Sequence, residues 1–343
     1  MRSVAPAWRG YTAALCALAY GVLAAAWVLG LPGYPWGTGD PSQNRPMSAL
    51  GGTTPQFGWW IAAFFLVAAG TALALARGGD SRVPLFLAWP IAVILILVVP
   101  DSRLMMGVAY TPLMLALPLF GGDLDGRTIA DVWPWPVVNQ LLPLLCGLLL
   151  AAAALAYDRR QVMKSWFTPR RGRTAVYVAV AVPLFYCVTR WAWALDIPLG
   201  VTSKFLRGSP KALWLVGAYL ATFGALGGVL TLGLVQRWGE IFPRWIPFLR
   251  GRRVPPMLAV IPASTVSIII TVAGLTYLRL AGTGVFTMEL WAAWLPECFW
   301  PIWGAALGVA TVSYHLRRRN DPRREGDART TAMAGALDAA GGR

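Results

Sequence analysis

Histidine is almost missing from this sequence, since His315 is the only one among 343 residues. Zinc sites are usually built from several imidazole or thiolate ligands, so a metal centre that needs several imidazoles is excluded. A Ser-His mechanism also has little support. The sequence contains no phosphate-binding loop, no H-E-x-x-H motif, no G-x-S-x-G motif and no dinucleotide fingerprint. We therefore expect no catalytic residues, no metal and no cofactor.

Charged residues are also scarce, at 13% of the chain. A soluble domain has about a quarter, so this composition, with 57% hydrophobic residues and a mean hydropathy of +0.56, predicts a membrane protein. The net charge of +15 does not indicate nucleic acid, because no basic-aromatic sheet motif or recognition helix accompanies it. The basic residues cluster at the ends of apolar runs, a pattern typical of topology signals and of contact with anionic lipid headgroups.

The four cysteines show no pattern that indicates chemistry. Each falls inside an apolar run, and none has CxxC spacing: Cys16, Cys146, Cys187 and Cys298. We interpret them as small core residues, so the sequence predicts neither a disulfide framework nor a thiolate metal site.

Apolar runs of about twenty residues predict a polytopic, all-α transmembrane bundle, because backbone groups in lipid must be satisfied internally. Eight spans are expected, at about 11–30, 57–76, 84–100, 137–157, 174–195, 213–236, 257–280 and 294–315. The first run is too long for the apolar region of a typical signal peptide, so we interpret it as a span.

Lysine and arginine counts predict which way the bundle faces. With the N-terminus inside, the inner segments hold 22 of them and the outer loops 6, so both termini should be cytoplasmic. The apolar stretch 104–120 could be a ninth span, but crossing would place the six basic residues of 158–173 outside. Pro112 and Pro118 also interrupt helix hydrogen bonding. We favour a re-entrant or surface-lying outer segment within 104–136.

The chain contains signs of an internal duplication. Three short matches occur in the same order in both parts of the chain: Arg82-Val83-Pro84 with Arg253-Val254-Pro255, Trp27 to Pro32 with Trp193 to Pro198, and Gly147 to Tyr157 with Gly304 to Tyr314. They predict two parallel four-span repeats, in 1–160 and 161–315, and the same register aligns Gln140 with Glu297. The Arg-rich, then Ala/Gly-rich segment 316–343 is expected to be a disordered cytoplasmic tail.

Ionisable residues inside a membrane are costly and are candidates for function. Six polar residues are predicted near the outer ends of the spans: Asp101, Arg103, Asn139, Gln140, Arg190 and Glu297. The depths of Arg190 and Glu297 match, so the two could pair. One interpretation is an outward-facing polar pocket between the repeats, in which Arg190 anchors an anion and Glu297 binds a cation or proton. The other is a structural ion pair with interfacial snorkelling.

Residues 237–253, which we call the connector, join two apolar runs on the predicted inner side. Aromatic residues recur there at three- or four-residue steps between arginines, as in a helix lying in the interface, although Pro243 and Pro247 would break it. The candidate contact residues are Arg237, Trp238, Glu240, Arg244, Trp245, Arg252 and Arg253. Glu240 is expected to pair with Arg237 or Arg244. The connector could anchor in anionic lipid or dock a cytoplasmic protein.

Three runs resemble an integral membrane protein family of high-GC actinobacteria: Trp238-Gly239-Glu240-x-Phe242-Pro243-Arg244-Trp245, Gly251-Arg252-Arg253-Val254-Pro255 and Val99-Pro100-Asp101-x-Arg103. The resemblance covers most of residues 10–315. It implies a bacterial plasma-membrane location, but it brings no activity and no functional residues.

Three functions are compatible with these patterns. The repeat and the intramembrane charges favour a transporter or permease for a small solute or lipid-linked molecule. The connector and the missing motifs favour a non-catalytic scaffold or sensor partner. A lipid-modifying enzyme would need Asp123 and Asp125 of the outer loop to hold a divalent ion.

Overall fold

The chain is a helical bundle in the computed structural model, which describes residues 7–40, 47–116, 118, 128–157, 167–244, 246–284 and 286–319. The longer helices are α1 (Trp8–Val28), α2 (Gly58–Arg77), α3 (Val83–Val93), α4 (Ser102–Ala116), α5 (Leu141–Tyr157), α6 (Pro169–Ala194), α7 (Lys211–Leu232), α8 (Pro256–Ala281) and α9 (Trp300–Arg319). Shorter helical segments are Gly37–Gly39, Pro55–Phe57, Ile94–Val98, Ile129–Val132, Trp135–Asn139, Ser203–Arg207, Arg237–Gly239, Met288–Ala293 and Leu295–Cys298. Within the described residues there is no strand, so the predicted all-α class is confirmed.

Six helical segments are long and apolar enough to cross a membrane. They are Trp8–Val28, Pro55–Arg77, Trp135–Tyr157, Pro169–Ala194, Lys211–Leu232 and Pro256–Ala281. Each matches one of the spans predicted from the sequence within a few residues. Six apolar helices of this length are characteristic of a membrane protein.

The third apolar run is bent. A π-helical turn, Ile94–Val98, follows α3, and the axis of α4 makes an angle of 54° with the preceding helix. Pro100 has no amide hydrogen to continue the first helix. Asp101 then starts α4, because its Oδ1 accepts the amide hydrogen of Arg103 at 2.9 Å, as an N-cap carboxylate does. The pair has the geometry of a broken span or a re-entrant segment.

Pro112 lies inside α4, which continues through it to Ala116. One expectation about a helix end is wrong. The C-terminal tail does not begin at Leu316, because α9 continues to Arg319. The rest of the predicted tail, residues 320–343, lies outside the described residues, as do Asp123 and Asp125 of the outer loop.

The N-terminal half of the bundle packs around α1, which contacts α2 and α5, while α3 contacts α2 and α5. Small residues permit the closest approach: a Cβ added to Gly10 would lie 2.6 Å from the Cβ of Ala76 on α2. Further along α1, Tyr20 and Trp27 pack edge to face with each other and with Trp36 of the following loop, with ring centroids 6.0 to 6.4 Å apart. The loop after α1 is therefore fixed to the helix core.

A disulfide joins Cys16 of α1 to Cys146 of α5, with the Cα atoms 5.7 Å apart. The expectation that all four cysteines are unpaired core residues is thus wrong for this pair. The two residues are 130 positions apart and face each other only because α1 packs against α5. Cys187 and Cys298 are free.

The C-terminal half packs around α6 and α9. Helix α6 contacts α7 and α9, and α8 contacts α9. Gly304 of α9 meets α8 so closely that a Cβ added to it would lie 2.6 Å from the carbonyl oxygen of Ser267. The Ser267 hydroxyl also donates to the Gly304 carbonyl oxygen at 2.7 Å. Contact between the two halves runs mainly along α4 and α8.

Candidate functional site

Arg190 and Glu297 form a buried ion pair, as their predicted depths indicated. Arg190 lies near the end of α6 and Glu297 in the segment Leu295–Cys298, and they are 9% and 2% exposed. The Arg190 guanidinium donates to Oε1 of Glu297. It also donates to the carbonyl oxygen of Ala292 at 2.8 Å. The charge of Arg190 is thus neutralised inside the protein, as an ionic group in a dry site requires.

Aromatic rings complete the surroundings of Arg190. The guanidinium carbon lies 4.5 Å from the ring centroid of Tyr186 and 4.2 Å from that of Trp193. Both rings belong to α6, one turn before and about one turn after the arginine. Such cation–π contacts are strongest where water is excluded, so the rings replace part of the lost hydration.

Glu297 is less well satisfied than its partner. Its Oε2 is buried and has no hydrogen-bond partner among the described residues. Buried carboxylate oxygens are normally paired, and one that is not costs free energy. Oε2 of Glu297 is the only buried carboxylate oxygen without a partner among the described residues, which makes it a candidate contact for a cation or a proton.

A second polar cluster lies in the N-terminal half, around the fully buried carboxylate of Asp101. Arg103 donates from Nη2 to Oδ2 of Asp101 at 2.7 Å and from Nε to Oδ1 at 3.0 Å. Gln140 donates from Nε2 to the same Oδ2 at 2.9 Å, and its Oε1 accepts the Asp101 amide hydrogen at 3.0 Å. These contacts fasten the start of α4 to the start of α5.

The Asp101 cluster includes a partner that sequence reasoning missed. Nη1 of Arg103 donates to Oδ2 of Asp40 at 2.6 Å, and Asp40 is 7% exposed. Asp40 lies in a polar loop, where a carboxylate ordinarily indicates only solvent exposure. Nothing in its sequence surroundings points to Arg103, which follows 63 residues later.

Asn139 belongs to neither cluster. Its Nδ2 donates to the hydroxyl of Tyr20 at 2.9 Å, and both residues are buried. The contact therefore joins the segment Trp135–Asn139 to α1. Five of the six predicted site residues thus form two buried ionic clusters, and the sixth, Asn139, bonds to Tyr20. In this conformation the six residues do not line one open pocket between the halves.

Arg279 of α8 contributes to the contact between the halves and was not singled out from the sequence. Its Nη2 donates to the carbonyl oxygen of Met47 at 3.0 Å and its Nη1 to that of Val98 at 3.4 Å. Nearby, the hydroxyl of Thr276 accepts the amide hydrogen of Ser102 at 3.1 Å. Only the position of Arg279 inside an apolar run could have indicated this role.

The connector is not an amphipathic helix. Beyond the single turn Arg237–Gly239, it folds back on itself through an isolated antiparallel bridge between Ile241 and Arg253. The amide hydrogen of Phe242 bonds to the Arg252 carbonyl oxygen at 2.9 Å. Pro243 and Pro247 explain the difference, because neither can donate a helix hydrogen bond. Trp245 lies outside the described residues.

Helix α9 holds the connector in place. The Tyr314 hydroxyl donates to the carbonyl oxygen of Gly239 at 2.8 Å, and Arg318 donates to the carbonyl oxygen of Val254, the residue directly after the connector, at 2.8 Å. Arg317 donates to Oε1 of Glu240 at 3.1 Å. The expectation that Glu240 pairs with Arg237 or Arg244 is therefore wrong. The arginines at 237, 244, 252 and 253 are exposed, while Trp238 and Glu240 are partly buried.

We predict that Gln140→Met lowers the free energy of unfolding by about 2 kcal/mol, because it removes two hydrogen bonds from buried groups of Asp101. Denaturant titration in detergent micelles measures the change. Gln56→Met is the matched control, since Gln56 is exposed and should change stability by less than about 0.5 kcal/mol. Equal losses in the two variants would contradict a structural role for the Gln140 amide.

Comparisons of this chain with protein-family models, curated proteins and solved structures give no match.

Proposed function

We propose that this chain is a transporter-like protein of the bacterial plasma membrane that handles a small solute or a lipid-linked molecule. The observation that carries the proposal is the buried Arg190–Glu297 pair, in which one carboxylate oxygen has no partner. Ionisable groups inside a membrane are expensive and mark ion and substrate pathways.

We further propose eight spans arranged as two parallel four-helix repeats. The packing supports this, because α1 contacts α2 and α5 and α3 contacts α5, while α6 contacts α7 and α9 and α8 contacts α9. These three contacts recur in both halves, whereas the contact between α2 and α3 has no counterpart of similar extent between α7 and α8. Parallel repeats occur in some transporters, whose sites lie at the repeat interface.

The last helix of each half ends in a similar way, which also supports the duplication. The hydroxyl of Tyr157 on α5 donates to the carbonyl oxygen of Ser81, in the loop between α2 and α3, at 2.6 Å. The hydroxyl of Tyr314 on α9 donates to the carbonyl oxygen of Gly239, in the loop between α7 and α8, at 2.8 Å. The two tyrosines are the residues that the sequence match aligns.

In this proposal both termini are cytoplasmic, as the distribution of lysine and arginine predicts. The ionic clusters then lie toward the outer side, and their carboxylates are buried in this conformation. Opening would separate α6 from the segment Leu295–Cys298, so that Arg190 could bind an anionic group and Glu297 a cation or a proton. The cost of breaking the pair would be recovered from the ligand.

The test is thermal unfolding of the purified protein against a panel of solutes and lipids, for the wild type and Glu297→Gln. A ligand that uses the site should raise the melting temperature of the wild type by mass action and leave that of Glu297→Gln unchanged. Lys211→Gln is the matched control, because the Lys211–Asp196 pair is more than half exposed, and it should respond like the wild type. If every stabilising compound acts equally on all three proteins, the site proposal is wrong.

A scaffold or sensor role is the second candidate, and the connector favours it. Phe248 at its tip is 93% exposed, although the connector is fixed to α9. An exposed aromatic residue on a rigid support suits a docking partner. The lipid-modifying alternative depends on Asp123 and Asp125, whose arrangement is not described.

A further inference from the structure

A cavity of about 440 Å³ lies beside the connector, between α7 and α8. The volume falls within the roughly 300–1,000 Å³ that is typical of ligand pockets. Leu230 of α7, Leu258 of α8 and Phe242 of the connector form its sides, and Trp303 and Leu307 of α9 also line it. The cavity is thus bordered by three helices and by a loop that α9 holds in place, and it opens on the surface where Leu230 and Leu258 are exposed.

The cavity exists because two neighbouring helices each pack on a different partner. Helix α7 packs on α6 and α8 packs on α9, with little direct contact between α7 and α8. Gly227 on α7 widens the gap, since a Cβ added there would meet nothing within 4 Å. In the N-terminal half, α2 and α3 do pack together, so no matching gap is expected there.

The lining offers almost no hydrogen bonds to a ligand. Its side chains are nearly all aliphatic or aromatic, and the hydroxyl of Thr231 already donates to the carbonyl oxygen of Gly227 at 2.8 Å. A polar solute would lose its hydration there without replacement. An alkyl chain has no hydrogen bonds to water that it could lose on entering. The apolar lining therefore favours binding of a hydrocarbon chain over a polar solute.

Two exposed arginines are adjacent in sequence to residues that line the cavity on the connector side. Arg237 precedes Trp238 and Arg244 follows Pro243, and both Trp238 and Pro243 line the cavity. Both arginines are exposed. The connector has five arginines against a single acidic residue, Glu240, which Arg317 engages. Arginine binds phosphate through paired N–H donors, so these arginines complement a phosphate group.

We propose that this cavity binds one acyl chain of an anionic phospholipid, with Arg237 and Arg244 contacting the phosphate. The cavity is preformed, because Tyr314 and Arg318 hold the connector and the residue directly after it through hydrogen bonds of 2.8 Å each. Little ordering is needed on binding, which favours affinity. The site is separate from the Arg190–Glu297 pair, so its test does not depend on whether the protein transports a ligand.

Native mass spectrometry of the full chain tests the proposal, with added dioleoyl phosphatidylglycerol or dioleoyl phosphatidylcholine in detergent. Wild type should retain one tightly bound phosphatidylglycerol in preference to phosphatidylcholine. Gly227→Leu fills the cavity and should abolish that retention. Gly224→Leu is the matched control, because a Cβ at Gly224 also meets nothing within 4 Å and Gly224 does not line the cavity. If Gly227→Leu folds poorly, Ala263→Leu fills the same space from α8.

The headgroup contact is tested by Arg237→Gln/Arg244→Gln, which should bind phosphatidylglycerol about tenfold more weakly than wild type. Arg250→Gln removes an exposed connector charge whose chain neighbours do not line the cavity, and it should bind nearly as the wild type does. Equal retention by Gly227→Leu and Gly224→Leu would overturn the acyl-chain site. Equal retention of the two lipids by wild type would overturn the role of the arginines.

Discussion

Arg190→Met should lower the free energy of unfolding by about 3–5 kcal/mol, the usual cost of leaving one member of a buried ion pair without its partner. Glu297 would keep its buried carboxylate, and the Ala292 carbonyl oxygen would lose its donor. The Arg190→Met protein should therefore unfold at much lower denaturant than the wild type in detergent micelles.

The double variant Arg190→Met/Glu297→Met separates the cost of an unpaired charge from the value of the pair. Two apolar side chains leave no buried charge, so stability should return to within about 1–2 kcal/mol of the wild type. Lys211→Met removes one side of an exposed pair and should cost at most about 1 kcal/mol. If the double variant is as unstable as Arg190→Met, the pair itself, rather than the unpaired charge, holds α6 in place.

Gly304→Val should be strongly destabilising, because Gly304 lies at the contact between α8 and α9. Its Cβ would overlap Oγ1 of Thr271, and it would lie 2.6 Å from the carbonyl oxygen of Ser267 and 3.0 Å from the amide nitrogen of Thr271, so backbone as well as a side chain must move. Overpacking of this kind costs about 1–3 kcal/mol or more. We expect about 3 kcal/mol, measured by the same titration.

Gly224→Val is the control for Gly304→Val. It lies in α7, where an added Cβ meets nothing within 4 Å, and valine is a slightly better helix former than glycine. Its stability should change by less than about 0.5 kcal/mol. Gly147→Val in α5 should behave like Gly304→Val, because its Cβ would lie 2.8 Å from the Cβ of Leu95. A harmless Gly304→Val would mean that α8 and α9 are not packed as described.

Helix positions could be predicted from the sequence because a bilayer allows few alternatives. Long apolar runs must become helices where backbone groups have no water to bind. The Arg190–Glu297 pair was predictable for a related reason, since two opposite charges at one depth in hydrocarbon need each other. Both inferences depend on the solvent and need no knowledge of the helix arrangement.

The contacts that were not predicted from the sequence differ in this respect, because each depends on which segments meet in the folded chain. Asp40 lies in a loop and reaches Arg103 only after the loop folds back over the helix ends. Glu240 has two arginines close by in sequence but binds Arg317, 77 residues away. The sequence predicted an interfacial helix in the connector that Pro243 and Pro247 break, but the antiparallel bridge between Ile241 and Arg253 was not predictable, because it requires two separate segments to meet. Local patterns carry no information on such partners.

The disulfide between Cys16 and Cys146 has a mechanical consequence. It ties α1 to α5 covalently and closes the chain from the first helix to the last helix of the N-terminal half into a ring. Those two helices cannot slide or part by more than the bond allows. If the proposed transport cycle moves one half relative to the other, the N-terminal half would be the one that stays rigid. The C-terminal half contains the Arg190–Glu297 pair, and its two cysteines, Cys187 and Cys298, are free. Because these cysteines do not cross-link its helices, the C-terminal half would be the one that changes conformation.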